Sequence, residues 1–178
     1  MGIPQSETEM ASGPIYNSRI TKSYLNYLKI HWPQVDCDEL LEKSGMTRYQ
    51  VDDPAHWFTQ EQVDCFHDVI VEKTGAADIS RQAGRHVSSS SGIGAAKQYF
   101  LGYVGPALAY LAAGKVVDKF SRATVNTARK LGSNRIESTF TQHPGVLEKP
   151  YQCQNRIGHL EAMAEVFTGK FARIDHPE

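Results

Sequence analysis

The spacing of hydrophobic residues changes repeatedly along this 178-residue chain, and these changes limit the folds that it can form. Up to about residue 120, apolar residues recur every three or four positions, which places them on one face of a helix. Two runs of alternating apolar and polar residues then flank Gly132-Ser133-Asn134 and predict an antiparallel hairpin. Helical spacing returns at 152–168. This order predicts an α+β fold, with a helical N-terminal layer packed on a small antiparallel sheet.

The periodic runs and their stop signals define the individual elements. Helices are predicted at 22–32, 38–44, 59–74, 79–87, 94–103, 106–120 and 152–168. Extended segments are predicted at 49–51, 125–131, 136–141 and 171–175. Thr59 and Gln62 have the spacing of a capping box, and glycine follows three of the helices as a C-terminal cap, at Gly45, Gly75 and Gly169.

The chain is predicted to form one domain. Residues 1–18 are polar and contain glycine and proline, so we expect a flexible leader there and a single domain over 19–178. A hydrophobic content of 40% and a charged content of 22% are typical of a globular domain. The last predicted strand stops abruptly, and we therefore expect a piece truncated from a longer protein.

Charge and hydropathy restrict the partners. The formal net charge of −1 gives no broad basic excess, so no nucleic-acid partner is predicted. The most apolar stretch, 99–114, is too short for a membrane span and contains Pro106, so no membrane insertion is predicted. Without a secretory segment, and with only three widely spaced cysteines that are expected to be reduced and mostly buried, the predicted location is cytoplasmic.

The sequence contains no complete catalytic or metal-binding motif. None of the seven histidines forms a His-x-x-x-His pair, and no Cys-x-x-Cys spacing occurs, so neither a metal site nor a catalytic residue is predicted. Haem needs only one axial histidine, and spacing therefore does not exclude it. His86 is the candidate, because aromatic helices are predicted after it.

Large rings beside small residues form the most suggestive region. Such a pattern permits either close helix packing or a cavity lined with apolar groups and a few polar anchors. The predicted ligand-binding residues are Tyr99, Phe100, Tyr103 and Tyr110, with Arg85, His86, Lys97 and Arg156 as polar anchors. Plain core packing is the alternative interpretation of the rings.

The last helix carries an apolar stripe that is predicted to face the core. Its members are Cys153, Ile157, Leu160, Ala164 and Phe167. Cys153 is therefore interpreted as a buried structural thiol, although it also lies near a helix N-terminus. Arg156 and Glu161 flank the stripe, either as a buried pair or as its solvated edge.

Three stretches of the chain together resemble a known family. They are Tyr49-Gln50-Val51-Asp52-Asp53 with His56-Trp57-Phe58-Thr59-Gln60-Glu61-Gln62-Val63, then Ala83-Gly84-Arg85, then Glu148-Lys149-Pro150-Tyr151-Gln152-Cys153-Gln154-Asn155-Arg156-Ile157-Gly158. In this order they resemble the N-terminal input modules of bacterial sensor histidine kinases, which look related to the 4-vinyl-reductase-type and haem-nitric-oxide-type ligand-binding superfamily. The resemblance covers about residues 20–178.

The resemblance implies a cytoplasmic, homodimeric sensor domain. It would bind a small apolar molecule and regulate a downstream signalling domain, a histidine kinase of a two-component system, without being an enzyme itself. Three alternatives remain open: a ligand-free dimerisation module, a haem-binding gas sensor and a small enzyme. The enzyme would have to collect distant groups such as His67, His86, Cys153 and Glu161.

Overall fold

The computed structural model describes residues 13–88, 105–114 and 117–176. In these ranges it contains seven α-helices and two antiparallel two-stranded sheets, which confirms the predicted α+β class. The elements are β1 (Pro14–Asn17), α1 (Ser18–His31), α2 (Cys37–Lys43), α3 (Arg48–Asp52), β2 (Trp57–Thr59), α4 (Gln60–Thr74), α5 (Ile79–Ser88), α6 (Pro106–Ala113), a 3-10 turn (Val117–Lys119), β3 (Thr124–Gly132), β4 (Arg135–Gln142) and α7 (Pro150–Thr168). No helix in the described ranges is long and apolar enough to cross a membrane.

Residue contacts group the chain into two compact units. Unit 1 comprises the described residues of 1–77, 117–125 and 140–149, and unit 2 comprises those of 78–116, 126–139 and 150–178. The prediction of a single domain over 19–178 stays a prediction.

Unit 1 is built on capped amphipathic helices. Asn17 caps α1 by accepting a hydrogen bond from the backbone N–H of Arg19, which explains why this helix begins four residues before its predicted start. The capping box of Thr59 and Gln62 starts α4 as predicted, and Gly75 ends it with a φ of 67°. The core of this unit contains Leu25, Leu28, Leu40, Leu41, Phe58 and Ile70.

Two predictions for unit 1 are wrong. Residues 49–51 are not extended, because Thr47 and Gln50 form a second capping box that starts α3. The predicted leader ends too late, since Pro14–Asn17 forms β1, which pairs antiparallel with Trp57–Thr59 and buries Tyr16. The pairing joins segments about 40 residues apart, and local sequence patterns do not show such a contact.

Beyond residue 77, several predicted elements are present and two are not, while the helix predicted at 94–103 lies outside the described residues. The helix at 79–87 is present as α5, the hairpin as β3 and β4, and the final helix as α7. The helix predicted at 106–120 ends at Ala113, and residues 117–119 near its predicted end form a 3-10 turn instead. Residues 171–175 form no strand: the Ala172 N–H instead donates to the Glu161 carbonyl at 3.0 Å. The expected single sheet is therefore replaced by the two separate pairs, β1–β2 and β3–β4.

The buried face of α7 differs from the predicted apolar stripe. Ile157 is buried as expected, but Cys153, Leu160, Ala164 and Phe167 are only half-buried. The other buried residues of α7 are small or polar: Gln152, Asn155, Gly158, Glu161 and Ala162. The helix is turned in this way because it meets α5 by close backbone contact, which needs small residues rather than large apolar ones.

Replacing Gly158 with alanine tests this contact. A β-carbon at Gly158 would overlap the Arg81 carbonyl and lie 3.0 Å from the Arg85 nitrogen. We expect Gly158→Ala to lower the free energy of unfolding by about 1–3 kcal/mol, the usual cost of overpacking. At an unobstructed helix position the same change would raise stability by up to about 1 kcal/mol. Gly132→Ala, at a position with open space, is the control. Urea unfolding measures both variants, and a stabilised Gly158→Ala variant would refute the close contact.

Candidate functional site

The candidate site is built on the crossing of α5 and α7. A β-carbon at Gly84 would overlap the Asn155 carbonyl, and one at Gly158 would overlap the Arg81 carbonyl. Each glycine therefore lets its own helix rest directly on the backbone of the other helix. The side-chain amide of Asn155, which is buried, also donates to the Ser80 carbonyl at 3.0 Å. This hydrogen bond fixes the register of the two helices.

Glu161 lies one turn beyond Gly158 and reaches two arginines of α5. Arg81 and Arg85 are four residues apart, so their side chains project from the same side of the helix. The Arg81 Nε donates to Glu161 Oε2 at 3.1 Å, and its Nη2 donates to Oε1. The Arg85 Nε donates to Oε2 at 2.7 Å. Only 4% of the Glu161 surface is exposed, so the structure buries one carboxylate between two partly exposed cations.

The two arginines keep the buried carboxylate ionised. Burial is the largest single influence on the pKa of Glu161 and raises it, but hydrogen bonds from Arg81 and Arg85 outweigh burial and hold the pKa below its ordinary value. The hydrogen bond to Glu161 likewise raises the pKa of Arg81. The three side chains thus act as a charged clamp between the helices, and they are called the Glu161 clamp below.

An extended segment, residues 170–176, is held against the same clamp; it is called the strap. The Ala172 N–H donates to the Glu161 carbonyl at 3.0 Å, and the Arg85 guanidinium lies 5.0 Å from the centroid of the Phe171 ring. Farther along, the His176 Nε2 lies 3.3 Å from the Cys153 Sγ. Cys153 is half-buried rather than buried as predicted.

Helix α6 provides the apolar part of the site. Its sequence, Pro-Ala-Leu-Ala-Tyr-Leu-Ala-Ala, contains no charged residue, yet none of its residues is buried. The Tyr110 hydroxyl donates to the Leu160 carbonyl of α7 at 2.5 Å and so attaches α6 to the crossing pair. Burial raises the pKa of Tyr110 to about 12, so the phenol stays protonated and remains a donor. Leu108 is 56% exposed.

The structure describes only some residues of the predicted ligand set. Tyr99, Phe100, Tyr103 and Lys97 lie outside the described residues. Tyr110 and Arg85 both contact α7, the first at Leu160 and the second at Glu161. His86 and Arg156 are half-buried. Of the two interpretations of Glu161, burial is the one observed, but its partners are Arg81 and Arg85 rather than Arg156.

Metal-binding groups are sparse in the part of the chain that the structure describes. A thiol and an imidazole are both zinc ligands, and Cys153 and His176 would supply two of the four that a structural zinc site requires. Among the described residues, no group of three or more His, Cys, Asp or Glu side chains is arranged so that it could hold a metal ion. Of the groups named for an enzyme, Glu161 is bound by Arg81 and Arg85, and Cys153 lies 3.3 Å from His176.

Comparison of the chain with protein-family models, with curated proteins and with solved structures finds no match in any of the three.

Protonation of His159 is expected to make stability depend on pH. Burial lowers the pKa of this half-buried α7 residue from its ordinary 6.5 to about 4. Between these values the unfolded chain binds more protons than the folded chain, so stability falls as the pH falls from 6.5 towards 4. We expect this group alone to lower the free energy of unfolding by about 2 kcal/mol between pH 7 and pH 5. Urea unfolding at both pH values measures this change. The fall in the free energy of unfolding between pH 7 and pH 5 should be about 2 kcal/mol smaller in His159→Gln than in wild type, but unchanged in the exposed-site variant His31→Gln. Equal pH dependence in wild type and His159→Gln would contradict the assignment.

Removing the Glu161 carboxylate should destabilise the protein more than removing a surface one. Glu161→Gln leaves Arg81 and Arg85 without their anion, and we expect a loss of about 1–3 kcal/mol, below the full cost for a buried pair because both cations are partly exposed. Because the pKa of Glu161 is lowered on folding, this contribution is present at neutral pH and is lost as the pH falls below the ordinary pKa of 4.5 and through the lower pKa of the folded state. Glu137→Gln breaks the exposed pair with Arg129 and is the matched control. Similar urea-unfolding midpoints for the two variants would show that the Glu161 clamp stabilises the protein no more than an exposed ion pair does.

Proposed function

We propose that the chain is a regulatory input domain whose unit 2 binds a small apolar molecule. The observation that carries the proposal is α6, an eight-residue helix without a charge and without a buried residue. A helix that is apolar on every side is normally buried, and exposed apolar surface marks a binding site for a ligand or a partner. An apolar molecule bound on α6 would cover the apolar surface of this helix that the described residues leave exposed.

The surroundings of α6 support a ligand site of this kind. Ligand pockets are mostly apolar with a few polar groups that fix orientation. Tyr110 attaches α6 to α7 through the Leu160 carbonyl, so α6 stands beside the rigid crossing of α5 and α7. The residues Tyr99, Phe100, Tyr103, Lys97, His86 and Arg156 remain proposed ligand contacts. Arg85 is the weakest of the proposed anchors, because its guanidinium already contacts Glu161 and Phe171.

The regulatory role rests on the resemblance to input modules of bacterial sensor histidine kinases. In this proposal the chain is a cytoplasmic sensor, forms a homodimer and controls a downstream kinase, and it carries no catalytic residue of its own. Haem remains an alternative occupant, and it would differ from a lipid-like molecule in mass and in visible absorbance.

A dimerisation module is the second candidate function. The same exposed apolar surface of α6, with Leu108 at 56% exposure, would equally suit a second copy of the chain. The two functions differ in what covers α6, a small molecule or a protein surface.

The native mass of the purified protein, compared with its denatured mass, tests the proposal. We expect extra mass that is lost on denaturation, and less of it in Leu108→Glu than in wild type. Leu147→Glu replaces a more exposed leucine of unit 1, 82% exposed, and should keep the extra mass.

Each other outcome of this measurement also has a meaning. A mass and absorbance typical of haem would identify that alternative occupant. A dimer without extra mass that Leu108→Glu dissociates would favour the dimerisation module. A monomer without extra mass, and without binding of the apolar dye 1-anilinonaphthalene-8-sulfonate, would contradict both functions.

A further inference from the structure

Glu161 holds two different parts of unit 2 at once. Its carboxylate accepts hydrogen bonds from Arg81 and Arg85 of α5, while its backbone carbonyl accepts the Ala172 N–H of the strap. The strap, residues 170–176, has no regular secondary structure, so its position depends on such individual contacts. Whatever moves Glu161 relative to α5 therefore bears on the strap as well.

Arg85 differs from Arg81 in one respect. Both arginines bind the Glu161 carboxylate, and of the two, within the described residues, Arg85 is the one that contacts the strap, with its guanidinium 5.0 Å from the Phe171 ring centroid. Phe171 is half exposed, so this ring is held by the cation rather than by burial in a core. Arg85 thus lies at the junction of α5, α7 and the strap.

We propose that the strap is a detachable element and that Arg85 is the positioning residue that couples it to the α5–α7 pair. A displacement of α5 along or around α7 would withdraw the guanidinium from Phe171 and from Glu161 together. This part of the strap would then be held by fewer contacts, with the Ala172 hydrogen bond to Glu161 among those that remain, and it would separate more often. The crossing at Gly84 and Gly158 favours such coupling, because helices in backbone contact cannot shift without moving these side chains.

As a regulatory device this coupling rests on the proposed function, since a ligand on α6 would act on the strap through α7. Tyr110 joins α6 to the Leu160 carbonyl, and Glu161 is the next residue of α7. The path from the proposed ligand site to the strap is therefore short. It runs from α6 to the adjacent residues Leu160 and Glu161 of α7, and from Glu161 through Arg85 to Phe171. The coupling itself can be measured without any ligand.

Hydrogen exchange of the Ala172 amide in the full chain tests the coupling. We expect Arg85→Gln to accelerate this exchange about twofold to fivefold, the factor that corresponds to loss of a partly exposed cation–π contact. Arg81→Gln, which disturbs the same carboxylate but not Phe171, should change it less than twofold. The Gly169 amide, which donates to the Glu165 carbonyl at 2.8 Å, should exchange at the wild-type rate in both variants.

A second variant keeps the test valid if Arg85→Gln perturbs the helices. Phe171→Leu alters only the strap, so it should accelerate exchange of the Ala172 amide as much as Arg85→Gln does. The double variant should exchange little faster than either single variant. Each of four results would overturn the coupling. Exchange of the Ala172 amide could be accelerated equally by Arg81→Gln and Arg85→Gln, or by neither variant. The effects of Arg85→Gln and Phe171→Leu could be fully additive in the double variant, or the Gly169 amide could be accelerated as much as the Ala172 amide. Since no ligand is present, these results are independent of the native-mass test of the proposed function.

Discussion

The backbone contact between α5 and α7 is the constraint on which the rest of unit 2 depends. Gly84 and Gly158 let two helices touch without intervening side chains, and any β-carbon at either position would overlap a carbonyl of the other helix. The short distance between the helices is what allows Glu161 to reach both Arg81 and Arg85. It also places Leu160 and Glu161 where Tyr110 and Ala172 can bind their carbonyls.

We expect the Glu161 clamp to contribute more to the specificity of the helix packing than to its stability. A buried carboxylate loses its hydration, and even good ion-pair geometry often only restores that loss. Two cations on one carboxylate nevertheless make other arrangements of the helices unfavourable, because a shifted register would leave Glu161 buried without a partner. The result is a rigid helix pair next to α6, a helix whose apolar surface the described residues leave uncovered.

Local sequence signals predicted most of the helices and the hairpin. Helices with clear apolar periodicity and caps, such as the one that begins after Thr59, appear close to their predicted bounds. The predictions that fail do so for specific reasons. The capping box at Thr47 starts a helix where an extended segment is predicted, and the strand pairing of β1 with β2 is non-local. The alternation at 171–175 predicts a strand, but these residues have no neighbouring strand among the described residues.

The site was predictable only in part. Tyr110 and Arg85 were singled out by residue type, but their partners lie 50 and 76 residues away, and no local pattern shows them. The face of α7 was misassigned because hydrophobicity favours large apolar residues, whereas this interface needs Gly158 and a buried Glu161. The spacing of Arg81 and Arg85 with Gly84 between them was the signal that could have indicated a close helix crossing with a charged partner.

Whether an apolar molecule covers α6 is tested most directly by hydrogen exchange of the α6 amides before and after the protein is stripped of bound apolar molecules. We expect these amides to exchange about tenfold faster after stripping, the factor for a ligand present at about ten times its Kd. Amides of the α5–α7 crossing, around Gly84 and Gly158, should keep their rates. Identical exchange of α6 before and after stripping, in protein that remains folded, would contradict an apolar ligand on this helix.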